Sequence, residues 1–191
     1  MKTENKIIKL FIEEKSPKTI RETALKIKSD YKITHVAVQR LLGKKALLSR
    51  TIGKSVLCEL NPVFYGIEIY KAEDERKEEL LCNKNIKQLY KEIMSKIKTS
   101  FFVFLVFGSY AKKKQTRSSD LDLMLISSEK GFEERVMDII SLIPVKTHAL
   151  VFTEEEFARM KDSKEANVVK EAIKNNVILY GIESYYRMKN A

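Results

Sequence analysis

Between residues 4 and 14 the apolar side chains Ile7, Ile8, Phe11 and Ile12 recur at helical spacing, which predicts a first helix with one buried stripe. Ser16-Pro17 ends it, because proline removes a donor and clashes with the preceding turn. Thr19-Ile20-Arg21-Glu22 has the form of a capping box, with Thr19 at the N-cap and Glu22 three residues on. The helix it opens is expected to run to about Ser29 and to bury Ile20, Ala24 and Ile27. Tyr31-Lys32-Ile33 reads as a turn, and Thr34 as the N-cap of a third helix over residues 35–45 that buries Val38, Leu41 and Leu42. From Ala46 to Leu60 the pattern changes to alternation around Gly53-Lys54, which predicts a hairpin.

Asn61-Pro62 closes the hairpin. Between Tyr70 and Lys98 a charged sequence carries the stripe Leu80, Leu81, Ile86, Leu89, Ile93 and Ile97. One or two helices are expected, their apolar face used for packing or for a homodimer contact. Phe101 to Phe107 is a continuous apolar run with aromatic and β-branched residues, the mark of a buried strand. A second strand is predicted over 121–126, a helix over 131–142, a third strand over 145–152 and a helix over 154–161. A final helix over 166–175 precedes the apolar Val177-Ile178-Leu179-Tyr180-Gly181. Strands and helices in this order predict an α/β or α+β domain in the C-terminal part of the chain. The expected divisions are 1–62, a helical connector over 63–98, and 99–191.

Composition changes this picture in one respect. The 191 residues carry a net charge of +10. Residues 1–60 hold 14 Lys/Arg against 6 Asp/Glu, and residues 61–191 hold 22 against 20. A short segment with most of the excess positive charge points to a polyanionic partner for that segment. Only Cys58 and Cys82 are present, without metal-type spacing, so two reduced thiols are expected. No apolar run approaches the ~20 residues of a membrane span. Residues 1–6 lack a signal-peptide core, so a cytoplasmic location is expected.

The informative chemistry lies between Phe107 and Leu123. Gly108-Ser109 follows a predicted buried strand, and glycine lets backbone N–H groups approach a ligand without a Cβ in the way. Such a turn seats phosphate oxygens, and Ser109 adds a hydroxyl donor. Asp120 and Asp122 are two apart on a predicted strand and therefore share a face. Two adjacent carboxylates repel each other, and a divalent cation relieves that repulsion while bridging to substrate phosphates. Lys112, Lys113 and Lys114 lie in the intervening polar gap, where they either attract nucleotide or form an exposed loop.

Residues 102–126 resemble the signature of DNA polymerase β-like nucleotidyltransferases, in particular the minimal branch. That resemblance implies an α+β chain whose C-terminal part is a small mixed sheet flanked by helices, in which Gly108 and Ser109 hold the triphosphate and Asp120 and Asp122 bind the catalytic Mg2+ (or Mn2+); Lys112 and Arg117 are further nucleotide-binding candidates. Arg117-Ser118-Ser119-Asp120 is similar to the family's approach to its first acid, and Asn175 to Gly181 to the end of such domains. The family's third carboxylate, on the following strand, falls by spacing at His148, a base, a weak metal ligand or an ordinary strand residue. The run from Thr19 to Leu60 resembles winged-helix, helix-turn-helix DNA-binding domains. By that resemblance Thr34, His35, Gln39 and Arg40 face the groove of duplex DNA, with Lys44, Arg50 and Lys54 near phosphates. The function implied is transfer of a nucleoside monophosphate from an NTP to a hydroxyl of a protein, an RNA end or a small molecule, coupled to a DNA-binding module. A toxin–antitoxin pairing with a cognate protein is a family expectation. The alternative is a regulator that binds DNA and nucleotide without turnover.

Overall fold

The computed structural model describes every residue of the chain except Met1, Lys54, Tyr65, Ser100 and Arg117. Of the residues singled out above, Lys54 and Arg117 thus lie outside the described residues. The chain forms two compact units, Met1–Glu75 and Arg76–Ala191.

The first unit begins with α1 (Thr3–Glu14), β1 (Lys18–Thr19), α2 (Ile20–Lys26), α3 (Tyr31–Gly43), β2 (Leu47–Ile52) and β3 (Ser55–Leu60). Thr19 forms the predicted capping box: its hydroxyl accepts from the Glu22 amide at 3.2 Å, and Glu22 accepts from the Thr19 amide at 2.7 Å. The helix it opens ends at Lys26, short of the expected Ser29. The start of α3 corrects the sequence reading. Asp30, not Thr34, is the N-cap, its Oδ1 accepting from the amides of Lys32 and Ile33 at 2.8 and 3.2 Å. A carboxylate there meets two unpaired donors and the positive end of the helix dipole together. The expected turn 31–33 is therefore the first turn of α3, and Thr34 is buried with its hydroxyl donating to the Asp30 carbonyl at 2.8 Å.

β2 and β3 form the expected hairpin, with Gly53 at a φ of +58° in its turn. β1 adds an antiparallel strand to β3, so the sheet has three strands in the order β1-β3-β2. The core gathers Ile7, Ile8, Phe11, Val38, Leu41, Leu47 and Cys58, each at most 1% exposed. Ile20, Ile27 and Leu42 are only half-buried, and Thr23 takes an inward position instead.

Helix α4 (Ile67–Leu81) spans the division between the units, and Asn83 caps α5 (Lys84–Lys96). There follow β4 (Val103–Phe107), α6 (Gly108–Ala111), β5 (Leu121–Ile126), α7 (Phe132–Ser141), β6 (Thr147–Phe152), α8 (Glu154–Asp162), α9 (Val168–Lys174), β7 (Asn176–Tyr180) and α10 (Ile182–Asn190). The four strands lie in the order β6-β5-β4-β7; β4 is antiparallel to β5 and β7, and β5 is parallel to β6. The sheet is thus mixed, as expected. Phe101 is 81% exposed and outside β4, which begins at Val103. Helix α10 was not foreseen; the segment 166–175 is followed by a further strand and helix.

Alternation along β4 and β5 sorts their side chains between two faces. Phe104, Val106, Leu121, Leu123 and Leu125 pack with Leu89 and Ile93 of α5 and Val136 of α7. Asp122 and Met124 point the other way, to the side where Phe157, Val169, Ala172 and Tyr185 of α8, α9 and α10 are buried. Gly181, at a φ of +78°, brings the chain against β4 so closely that a Cβ would stand 2.4 Å from the Phe102 carbonyl oxygen.

Candidate active site at the end of the mixed sheet

The turn from β4 into α6 is made by Gly108, buried at a φ of +66°. A Cβ at this position would lie 2.1 Å from Asp122 Oδ2 and 3.0 Å from its Cγ. The Asp122 carboxylate therefore rests against the bare Cα of Gly108, a contact only glycine allows. The cause is strand register: Val106 pairs with Leu123, so the last residues of β4 run alongside the first of β5. Two sequence features separated by a polar gap of ten residues thus meet. Ser109 follows, half-buried.

Asp120 immediately precedes β5 instead of lying within it. Its Oδ1 is shielded from solvent and makes no hydrogen bond. Lys146 Nζ nevertheless stands 2.8 Å away. At that distance the contact is an ion pair whose approach misses hydrogen-bonding angles. Parallel pairing of β5 with β6 puts His148 directly opposite Asp122, its Nδ1 3.6 Å from Asp122 Oδ1, too long for a hydrogen bond. The side chains of Lys146 and His148 are open to water, at 80% and 61%, so each contact is weak by itself. Lys146 was missed in the sequence, where only strand register could have revealed it.

The gap between Ser109 and Asp120 is tied by its own hydroxyls. The Thr116 amide donates to Ser119 Oγ at 2.9 Å, and the Thr116 hydroxyl lies 3.1 Å from those of Ser118 and Ser119. Lys112 is paired with Glu171 of α9 at 3.2 Å, and Lys113 with Glu79 at 3.2 Å. Among the described residues no group of three or more His, Cys, Asp or Glu gathers in a way that could hold a metal ion. The donor set that remains is the carboxylate of Asp122 on β5 and that of Asp120 just before it, the latter with an oxygen that makes no hydrogen bond. This fits Mg2+, which is commonly held by one or two carboxylates and completed by water and substrate phosphates.

The residues expected to meet DNA divide between two concavities of the first unit. His35 and Gln39 line an open groove of about 1010 Å³ with Tyr31, Arg21, Leu25 and Val56. Tyr31 and His35 sit one turn apart with ring centroids 6.1 Å from each other. Arg40 and Lys44 border a second concavity with Thr3, Lys32 and Val36. There Arg40 lies 3.6 Å from Glu4, while Lys44 lies 3.4 Å from Glu4 and 2.7 Å from Glu68. The Glu68 bond holds the Lys44 ammonium above its usual range. Arg50 is exposed on β2. Thr34, being buried, is excluded from any groove-facing set.

The family model described as Polymerase beta, Nucleotidyltransferase matches residues 84–185, and the chain belongs to that family. The match covers α5 through β7, including every element around Gly108 and Asp122. Members of the family generally use a divalent metal and an NTP. No match is found among curated proteins or among solved structures. Among the described residues no helix is long and apolar enough to cross a membrane.

Proposed function

We propose that the C-terminal unit transfers a nucleoside monophosphate from an NTP to a hydroxyl acceptor and releases pyrophosphate. The observation that carries this is the Asp122 carboxylate seated on the Cα of Gly108. In this reading the Gly108–Ser109 backbone and the Ser109 hydroxyl grip triphosphate oxygens, with Lys112 and Arg117 adding positive charge. Asp120 and Asp122 hold Mg2+ (or Mn2+), which when bound neutralises phosphate charge and polarises the phosphorus under attack. His148, opposite Asp122, accepts the proton of the incoming hydroxyl. The acceptor is a protein side chain, an RNA end or a small molecule, and a cognate toxin–antitoxin partner is one candidate of the first kind. Incubation with labelled NTPs and Mg2+ should give transfer that is lost in Asp120→Ala/Asp122→Ala. Absence of transfer to any offered acceptor removes the enzyme.

We infer further that the first unit binds duplex DNA as a winged helix. Supporting this are its excess positive charge and the succession of three helices and a hairpin. His35 and Gln39, on the exposed side of α3, are the base-reading candidates, with Arg40, Lys44, Arg50 and Lys54 toward phosphates. Binding should weaken steeply with salt. Salt-insensitive binding removes this assignment. A second reading, a DNA-binding regulator that holds nucleotide without turnover, is favoured by one observation: His148 and Lys146, not acids, stand opposite Asp122 and Asp120.

A further inference from the structure

Lys146, just before β6, and His148 on β6 carry an inference about how many cations the site accepts. Two-metal centres place their ions roughly 4 Å apart, four positive charges that several carboxylates must balance. Here two carboxylates are present, and the register that would bring a third acid from β6 brings His148 to Asp122 instead. One step earlier on the same strand approach, Lys146 places its ammonium 2.8 Å from Asp120 Oδ1. An ammonium has no lone pair to give a metal, and imidazole suits Mg2+ poorly.

We propose that the site binds one divalent cation in place of two, and that Lys146 supplies the fixed positive charge on the side where a second ion would stand. Asp120 and Asp122 would hold the single cation, whose charge would offset that of the triphosphate. Lys146 is a positioning residue: it touches neither substrate nor the reacting phosphorus, and acts through Asp120. This rests on the transferase reading and deepens it.

The test counts Mn2+ bound to the full chain by electron paramagnetic resonance, with one equivalent of a non-hydrolysable NTP analogue and the analogue alone as control. One Mn2+ per chain is expected. Two per chain overturns the inference and leaves the transferase reading standing; none overturns both. Lys146→Ala/His148→Asp should raise the count to two, and a count that stays at one refutes β6 as the limit. Lys146→Ala alone should tighten Mn2+ by about two- to five-fold, the scale of an exposed ion pair. Unchanged Mn2+ affinity in that variant refutes the role given to Lys146. Both side chains are mostly in solvent, so circular dichroism of the variants should match the parent.

Discussion

In the first unit several acidic side chains are matched by cations of the same unit. Glu14 sits between Lys18 and Lys26 at 3.0 and 2.9 Å, and Glu68 holds Lys44 at 2.7 Å. Burial pushes the Glu14 and Glu68 carboxyls up, but the bonds from Lys26 and Lys18, and from Lys44, outweigh it, and both lie below their ordinary value. At the end of the mixed sheet the arrangement differs. Asp120 is ion-paired with the exposed Lys146 at 2.8 Å yet keeps that oxygen without a hydrogen bond, and Asp122 is pressed against a glycine. Carboxylates that hold structure are satisfied by permanent partners, whereas carboxylates poised for a ligand are aligned first and left incomplete. Shifted titrations thus fall on the paired carboxylates Glu14 and Glu68, while the oxygen without a hydrogen bond and the close glycine support the proposed reading of Asp120 and Asp122.

The comparison is broken most severely through the core that aligns the acids. Phe104 of β4 is fully buried in the core with residues of α5 and α7, and Phe104→Ala should cost about 3–5 kcal/mol, read as a lower chemical-denaturation midpoint for the C-terminal unit. Gly108→Ala comes next. Its Cβ must displace the Asp122 carboxylate, so transfer should fall on the order of 100-fold, the consequence of a misplacement near 1 Å. DNA affinity measured in parallel should not change. In the first unit, His35→Ala or Gln39→Ala should weaken duplex binding by about 1–3 kcal/mol and relax sequence preference. Lys44→Ala should do less, under about 1 kcal/mol in a titration at 0.15 M salt, because Glu4 and Glu68 already engage that ammonium.

The smallest effect is on acid stability. The depressed carboxyls of Glu14 and Glu68 contribute stability that is present above the unfolded value of 4.5 and is lost as pH falls through the lower folded values. Thermal unfolding from pH 7 to pH 3 should show that loss, and Glu14→Gln should flatten it. An unchanged slope in that variant would place the acid sensitivity elsewhere.

Local signals were legible in the chain: the Thr19 capping box, the Gly53 hairpin, the buried run of β4, and Gly108-Ser109 with Asp120 and Asp122. Each depends on neighbours within a few residues, where propensity, periodicity and capping act. At α3 the cap is Asp30 and not the expected Thr34, because Thr34 points into the core, which only packing reveals. β1 is two residues long, too short for alternation to register, and exists because β3 offers it a partner. α10 lies beyond the helix over 166–175 that was expected to be the last, and it follows Gly181, whose positive φ permits close contact with the start of β4.

By itself, then, the sequence determined which acids, which glycine and which basic segment this protein has, because those are matters of residue identity and short-range pattern. The tertiary structure alone decided that Gly108 lies against Asp122, that Lys146 and His148 stand opposite Asp120 and Asp122, and that Thr34 is hidden. Those are consequences of strand register and core packing, which join residues tens of positions apart and leave no local trace.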